Sequence, residues 1–370
     1  MRHALLWLCV AAPLVSQEPA AGSGSAARTG AVLDAYYLGS GHAFDHLVER
    51  TVPVGVSHRF GSRVTVDLSS AYAHASAATR SGNLEVSGTT DTDVRLNWAA
   101  ATGHMVVSLV GTLPTGKKAV DSSAVPLLSA LATEVFNFTT PSFGTGGGVT
   151  GGFASAFKLG ERWAAGFGGS YRWHASYTPV VAGGKLEPGG EGRVRLGAEG
   201  PLGGGAYFRG AAVYATSGAD TLVAGSKSVT GGRLLLYSAL SLPAGQSAVS
   251  LYVYDRYRLR PGGSDPATVR VPRGNVLALG ARLERPLSPA VSVAPNVEFR
   301  HELAAPDSGG LTLLGWLLRP GLDIRYRAGG AVTFLIQGQA AFGRLANPGA
   351  VEPSVSIVGS RAVLLVEWAR

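Results

Sequence analysis

From residue 47 onward, apolar residues alternate with small or polar residues in segments of about ten to fifteen residues. The clearest segment spans residues 162–173, where Trp163, Phe167 and Trp173 share one face. The opposite face carries small and polar residues, including Ser170 and Arg172. Because side chains alternate between the two faces of a β-strand, this period of two predicts strands with one apolar and one small or polar face.

The spacing of aromatic residues along this segment fits a membrane-spanning strand. Trp163 and Trp173 are ten steps apart. At about 3.3 Å per residue and a tilt near 40°, that distance projects to about 25 Å, the height of the lipid-facing band of a transmembrane barrel. Aromatic residues are enriched at both membrane interfaces, so the pattern predicts two girdles. The predicted girdle residues are Trp98, Trp163, Trp173, Trp316 and Trp368.

The connections between the segments alternate between short turns and longer loops. Short turns are predicted near residues 61–62, 101–103, 160–161, 201–204, 243–246, 287–289 and 328–330, with the longer connections between them. This alternation is typical of an antiparallel up-and-down barrel with short periplasmic turns and long extracellular loops.

The strand count depends on the N-terminal segment, residues 18–46. A first strand near residues 31–38 brings the count to about 16, whereas about 14 strands result if the first segments plug the lumen. The sequence therefore predicts an all-β transmembrane barrel over residues 47–370, preceded by a segment that forms either a first strand or a plug.

Residues 1–17 have the features of a secretory signal peptide. Arg2 and His3 are basic, residues 4–15 form an apolar core, and residues 14–16 fit a cleavage site. The one cysteine, Cys9, lies inside this segment, so the mature chain is predicted to lack disulfides and thiolate metal sites.

The composition favours an outer-membrane location. Hydrophobic residues make up 46% of the chain and charged residues 15%, but after the signal segment no apolar run reaches the roughly 20 residues of a transmembrane helix. The expected partners are outer-membrane lipid, lipopolysaccharide and the barrel assembly machinery. The formal net charge of +8 comes from scattered Lys and Arg rather than from a basic patch, so no nucleic-acid partner is predicted.

Charged residues fall mainly on the small and polar strand faces, which point away from lipid. A lipid-facing arginine at the bilayer midplane costs about 2 to 4 kcal/mol, so these side chains are expected in the lumen. The predicted lumen-lining residues are Arg95, Arg172, Arg193, Arg195, Arg209, Arg256, Arg258 and Arg325. Two interpretations stay open: a basic lumen that attracts anionic or polarisable solutes, or a wall of Arg and carboxylate pairs that stiffens the barrel.

The longest connection, residues 114–146, carries an apolar stripe at helical spacing. The stripe consists of Leu127, Leu128, Leu131, Val135 and Phe136. A loop with such a stripe must bury it, so we expect it to narrow the lumen, to pack across the barrel mouth, or to contact lipopolysaccharide.

Motifs for catalysis or cofactor binding are absent from the sequence. There is no nucleophile elbow and no His-Glu-x-x-His pair. Gly146, Gly148 and Gly151 have a dinucleotide-like spacing but lack the strand-to-helix context, and His42 and His46 have no evident third metal ligand. We therefore predict no enzymatic activity, no cofactor and no metal site.

Three short motifs surround the longest connection. They are Asp91-Thr92-Asp93-Val94-Arg95-Leu96, Leu113-Pro114-Thr115-Gly116 and Gly144-Thr145-Gly146. With these motifs the chain resembles the MetA-pathway phenol-degradation family of outer-membrane proteins, most clearly over residues 91–173. The resemblance implies a barrel related in role to channels for hydrophobic solutes and fatty acids, and hence passive transport of small hydrophobic or aromatic solutes. The alternatives are a lipid-acting barrel enzyme and a structural or surface-interaction barrel.

Overall fold

The computed structural model describes residues 24–80, 82–101, 103–222, 225–262, 268–305, 312–346 and 353–370. The predicted signal peptide, residues 1–17, lies outside these ranges. Within them the chain forms one large antiparallel sheet, one small four-stranded sheet, a 3-10 helix at Ser122–Ala124 and one helix, α1, at Val125–Leu131. None of these described helices has the length and apolarity needed to cross a bilayer.

The strands follow the segments predicted from the two-residue period. The large sheet contains β1 (Gly24–Leu38), β2 (Phe44–Phe60), β3 (Val64–Thr79), β4 (Gly82–Thr89), β5 (Thr92–Ala99), β6 (Met105–Leu113), β7 (Gly148–Leu159), β8 (Trp163–His174), β10 (Glu191–Gly203), β11 (Ala206–Ser217), β14 (Arg233–Ala244), β15 (Ser247–Arg258), β17 (Gly274–Pro286), β18 (Val291–Ala304), β19 (Thr312–Ala328), β20 (Val332–Ala346) and β21 (Ser354–Ala369). The small sheet contains β9 (Leu186–Glu187), β12 (Asp220–Leu222), β13 (Lys227–Thr230) and β16 (Thr268–Val271).

The large sheet closes into a barrel through its first strand. β1 pairs with β2 on one side and β21 on the other, so Tyr36 lies opposite both Leu47 and Gly359. This closure leaves no unpaired edge, as a lipid bilayer requires. The first strand begins at Gly24, earlier than the predicted start near Ala31, and the described part of the N-terminal segment belongs to the barrel wall.

β4 and β5 act together as one barrel strand. Both pair with β3, on either side of an interruption at residues 90–91. The barrel therefore has 16 antiparallel strands, which confirms the predicted fold and strand number.

Short turns join the strands at one end of the barrel, at the predicted positions. Two of these turns contain Gly160 and Gly245, whose φ angles are 70° and 63°. Only glycine adopts this left-handed region without a steric cost, which explains why the chain reverses there. In outer-membrane barrels the end with the short turns faces the periplasm, so the longer loops and the small sheet lie at the extracellular end.

The outer face of the barrel is an apolar surface suited to lipid. Val194 and Leu196 are 58% and 64% exposed on β10, whereas Arg193 and Arg195 alternate with them and face the lumen. A surface of this kind is stable only in contact with hydrocarbon, which places the protein in the outer membrane.

The five predicted girdle tryptophans lie on this outer face near the strand ends. Trp98, Trp163 and Trp368 stand at the ends with the short turns, and Trp173 and Trp316 stand toward the opposite ends. Their indole rings thus fall at two levels, as expected for side chains that favour both membrane interfaces.

Candidate functional site

The connection between β6 and β7, residues 114–147, folds into the lumen and is called the inner loop below. Leu127, Leu131, Val135 and Phe136 are at most 1% exposed and pack in one cluster with lumen-facing residues such as Tyr36. Burying one such apolar side chain contributes about 1.5 to 3 kcal/mol, so together they hold the loop firmly against the wall.

The apolar stripe of the inner loop is helical only in its first part. Leu127, Leu128 and Leu131 lie on α1, with Leu128 partly buried at the edge of the cluster. Val135 and Phe136 follow in a turn beyond the helix, where the backbone N–H of Phe136 donates to the carbonyl of Thr133. The predicted helical spacing is thus wrong for the last two residues, because the backbone turns there to present its polar groups to the barrel wall.

Arg319 on β19 fixes the inner loop from the far side of the lumen. Its guanidinium donates to the carbonyl oxygen of Val135 at 3.1 Å and to that of Phe136. The Phe136 carbonyl also accepts from the Tyr36 hydroxyl at 3.0 Å, and Arg319 forms an ion pair with Glu298 at 3.1 Å. Since β19 lies across the barrel from β6 and β7 in the strand order, the inner loop crosses the lumen.

Two residues of β18 add to this attachment. Arg300 donates to the carbonyl of Glu134 at 3.1 Å, and the Glu302 carboxylate accepts from the backbone N–H of Val135 at 2.8 Å. Hydrogen bonds to charged groups contribute about 1.5 to 3 kcal/mol each, more than neutral ones. The backbone of the loop is therefore held by charged partners where it meets this wall.

The next part of the inner loop is bound by β2 and β21. The Glu49 carboxylate on β2 accepts from the backbone N–H of Thr140 at 2.8 Å. Arg361 on β21 donates to the carbonyl of Asn137 at 3.2 Å and to the Thr139 hydroxyl at 3.1 Å. Asn137 has a φ of 53°, a left-handed conformation that asparagine tolerates better than most residues.

Asp91, in the interruption between β4 and β5, forms hydrogen bonds with both ends of the inner loop. One carboxylate oxygen accepts from the backbone N–H of Gly116 at 3.0 Å. The other accepts from the backbone N–H and the hydroxyl of Thr145, at 2.6 and 3.0 Å. A Cβ atom at Gly116 would lie 2.7 Å from the Asp91 nitrogen, so this approach requires glycine. The three motifs singled out in the sequence thus meet at the base of the loop.

The inner loop divides the lumen wall into two regions. The covered wall consists of β18 to β21 and β1 to β3, where Tyr36 is 0% and Arg319 2% exposed beneath the loop. The open wall consists of β7, β8, β10, β11, β14 and β15, where the side chains of Arg193, Arg233 and Arg256 remain 38%, 37% and 31% exposed. The charged side chains of the open wall are therefore less buried than those beneath the loop.

Most of the predicted lumen arginines stand on the open wall. Arg193 forms an ion pair with Glu191, which also pairs with Arg233. Arg209 pairs with Glu199 at 2.8 Å. These pairs fit a wall of Arg and carboxylate pairs, although the paired arginines keep more than a third of their side-chain surface exposed, and attraction of solutes stays a prediction.

The other predicted arginines differ in their surroundings. Arg256 meets Glu134 of the inner loop at the edge of the open wall, and Arg258 donates to the carbonyl of Pro272 at 2.7 Å. Arg195 shares the lumen face of β10 with Arg193. Over the described residues, Arg95, Arg172, Arg258 and Arg325 form no ion pair with a carboxylate. Arg95 lies on β5 and Arg325 near the periplasmic end of β19, both away from the arginines of β8 to β15.

The sequence did not reveal the residues that hold the inner loop. Arg319 follows the run Leu313-Leu314-Gly315-Trp316-Leu317-Leu318, which has no polar alternation to set its face. A register shift near Glu302 also makes it harder to tell from the sequence which residues of β18 and β19 face the lumen. A role for Glu49 in holding the loop was only weakly indicated, because an acidic residue on a strand face that points away from lipid needs a partner.

Known proteins resemble this chain in structure but not in sequence. The sequence matches no described protein family and is not similar to any curated protein, so the resemblance to the phenol-degradation family stays a prediction. Solved structures of outer-membrane barrels resemble the fold at low identity.

Three of these structures illustrate the similarity. An outer-membrane channel from Pseudomonas putida F1 is 11% identical, with 98% of this chain and 100% of that chain covered and a TM-score of 0.43. OccK11 of Pseudomonas aeruginosa is 11% identical over 94% and 96% of the two chains, with a TM-score of 0.44. OmpT of Vibrio cholerae is 9% identical over 96% and 99%, with a TM-score of 0.44. Similarity of this degree does not extend to solute or activity.

Proposed function

We propose that the protein is a passive channel that lets small solutes cross the outer membrane along the open wall. The observation that carries this proposal is the one-sided placement of the inner loop. Its backbone is bound across the lumen by Arg319, Arg300 and Glu49, while the arginines of the opposite wall stay exposed. Transport of this kind needs no cofactor and no chemical step.

The inner loop would set the width of the passage in this channel. Glu134 reaches Arg256 at one boundary of the open wall, so the loop and the wall face each other there. Exposed arginines beside a narrow, low-dielectric passage raise the local concentration of anionic and polarisable solutes.

We propose small aromatic or otherwise hydrophobic molecules as the transported class. The resemblance to the phenol-degradation family implies such solutes. The open wall adds lumen-facing tyrosines, among them Tyr237 and Tyr254, directly paired on β14 and β15. Aromatic rings of this kind offer apolar contact while their hydroxyl groups stay hydrated.

Conductance of the refolded chain in a planar bilayer tests the channel. We expect a stable conductance that increases when residues 124–136 are deleted, because the deletion removes the loop from the lumen but leaves the strand pairing in place. Heat-dependent migration in detergent serves as the control for a folded barrel. An inserted barrel without conductance, before and after the deletion, would contradict the proposal and favour a structural barrel.

A further inference from the structure

We infer that the open wall contains a binding site for a small aromatic carboxylate, with arginines for the carboxylate and a tyrosine pair for the ring. This inference rests on the proposed channel and names its solute class. Its elements are two rows of arginines and, next to them, two paired tyrosines, all on the lumen face of consecutive strands.

Strand register brings the arginines into rows. Arg193 on β10 and Arg233 on β14 both lie opposite Ala215 of β11, and Arg233 lies opposite Arg258 on β15. The second row lies two residues closer to the periplasm on each strand. Arg195 is opposite Val213 of β11, which is opposite Leu235 of β14, and Leu235 is opposite Arg256 of β15. Residues opposite each other in an antiparallel pair have Cβ atoms about 4.5 to 5.5 Å apart, so Arg233 and Arg258 are direct neighbours, while the other arginines of the two rows stand farther apart.

The carboxylates on this surface are fewer than the arginines. In the described part of the chain, Glu191 pairs with Arg193 and Arg233, and Glu134 pairs with Arg256. Arg258, on the same strand and lumen face as Tyr254, forms no such pair among the described residues, and its Nε donates to the carbonyl oxygen of Pro272 at 2.7 Å. A carboxylate can accept two parallel hydrogen bonds from one guanidinium, which makes it the matching ligand.

The tyrosine pair lies next to the arginines on the periplasmic side. Tyr237 on β14 and Tyr254 on β15 are directly opposite in register, two residues from the Leu235 and Arg256 pair on the same face. Two residues along a strand span about 7 Å. Both rings are partly exposed to the lumen. An aromatic solute whose carboxylate meets an arginine could therefore place its ring on a tyrosine face, which a saturated ring does less well.

Binding to the purified full-length barrel in detergent tests the inference separately from transport. Isothermal titration calorimetry with benzoate, cyclohexanecarboxylate and benzyl alcohol separates the contribution of charge from that of the planar ring. We expect benzoate to bind about threefold more tightly than cyclohexanecarboxylate. We expect it to bind about tenfold more tightly than neutral benzyl alcohol, since charge-assisted hydrogen bonds are the stronger ones.

Two double variants assign these preferences to residues. Tyr237→Leu with Tyr254→Leu should bring the ratio of benzoate to cyclohexanecarboxylate affinity to about one. Arg233→Gln with Arg258→Gln, which are directly opposite each other, should weaken both carboxylates and leave benzyl alcohol unchanged. Arg325→Gln, a lumen arginine outside the site, is the matched control and should change neither ratio. Heat-dependent migration confirms that each variant is folded.

The possible results distinguish the site from the channel. Equal affinity for the three probes, or preferences unchanged in both double variants, would overturn the inference even if the barrel conducts. Binding with the expected preferences in a barrel without conductance would keep the site and overturn the proposed channel.

Discussion

The covered and open walls of the lumen share one strand pattern but hold their charges differently. On the covered wall, Arg319 and Glu49 are at most 2% exposed and bond to the backbone of the inner loop. On the open wall, Arg193 and Arg209 each keep 38% of their side-chain surface exposed. Removing one partner from a buried charged pair costs about 3 to 5 kcal/mol, whereas an exposed pair contributes about 0 to 1 kcal/mol. Charges under the loop thus fix its position, and in our proposal those beside the passage meet the solute.

The largest expected effect comes from removing a buried arginine of the covered wall, and an exposed arginine of the open wall serves as the comparison. Arg319→Met should lower the free energy of unfolding by about 3 to 5 kcal/mol, because Glu298 and two loop carbonyls lose their shared partner. Arg209→Met, which removes an exposed pair with Glu199, should change it by about 1 kcal/mol at most. Denaturant unfolding in detergent measures both values. Equal losses in the two variants would mean that the walls do not differ in this way.

A second comparison sharpens the role of apolar packing within α1. Leu127 is 0% exposed and Val125 39% exposed on the same short helix. Leu127→Ala should cost about 3 kcal/mol through the cavity it leaves, and Val125→Ala less than about 1 kcal/mol. The same unfolding measurement reports the costs, and single-channel recordings should show more current noise for Leu127→Ala. Similar costs for the two substitutions would show that α1 is not seated on the covered wall.

The smallest expected effect concerns the base of the inner loop. Asp91→Asn should weaken the hydrogen bonds to Gly116 and Thr145 and cost about 1 to 2 kcal/mol. Asp93→Asn, two residues along and bonded to the Thr112 hydroxyl, is the matched control. Limited proteolysis of the inner loop measures the effect, and we expect faster cleavage for Asp91→Asn alone. Equal cleavage rates would argue that Asp91 does not position the loop.

The sequence was sufficient for the barrel but not for the loop attachment. Alternation such as that between Trp163 and Trp173 determines which face meets lipid, and this local signal repeats strand after strand. The contacts of Arg319 with Val135 and Phe136 join residues more than 180 positions apart, and no local pattern encodes them. The uniform apolar run before Arg319 also hides its face. The paired tyrosines of the open wall depend on register between β14 and β15, which becomes visible only in the folded sheet.

The position of the inner loop in the chain also orders the events of assembly. The loop lies between β6 and β7, yet its attachment sites stand on β1 and β2 and on β18, β19 and β21, at the two ends of the barrel sequence. Contacts between such distant residues form late, because the intervening chain must first be ordered. The strands from β7 to β21 must therefore be in place before Arg319, Arg361 and Tyr36 can meet the loop together. The inner loop can therefore reach its full set of partners only when the last strands complete the ring.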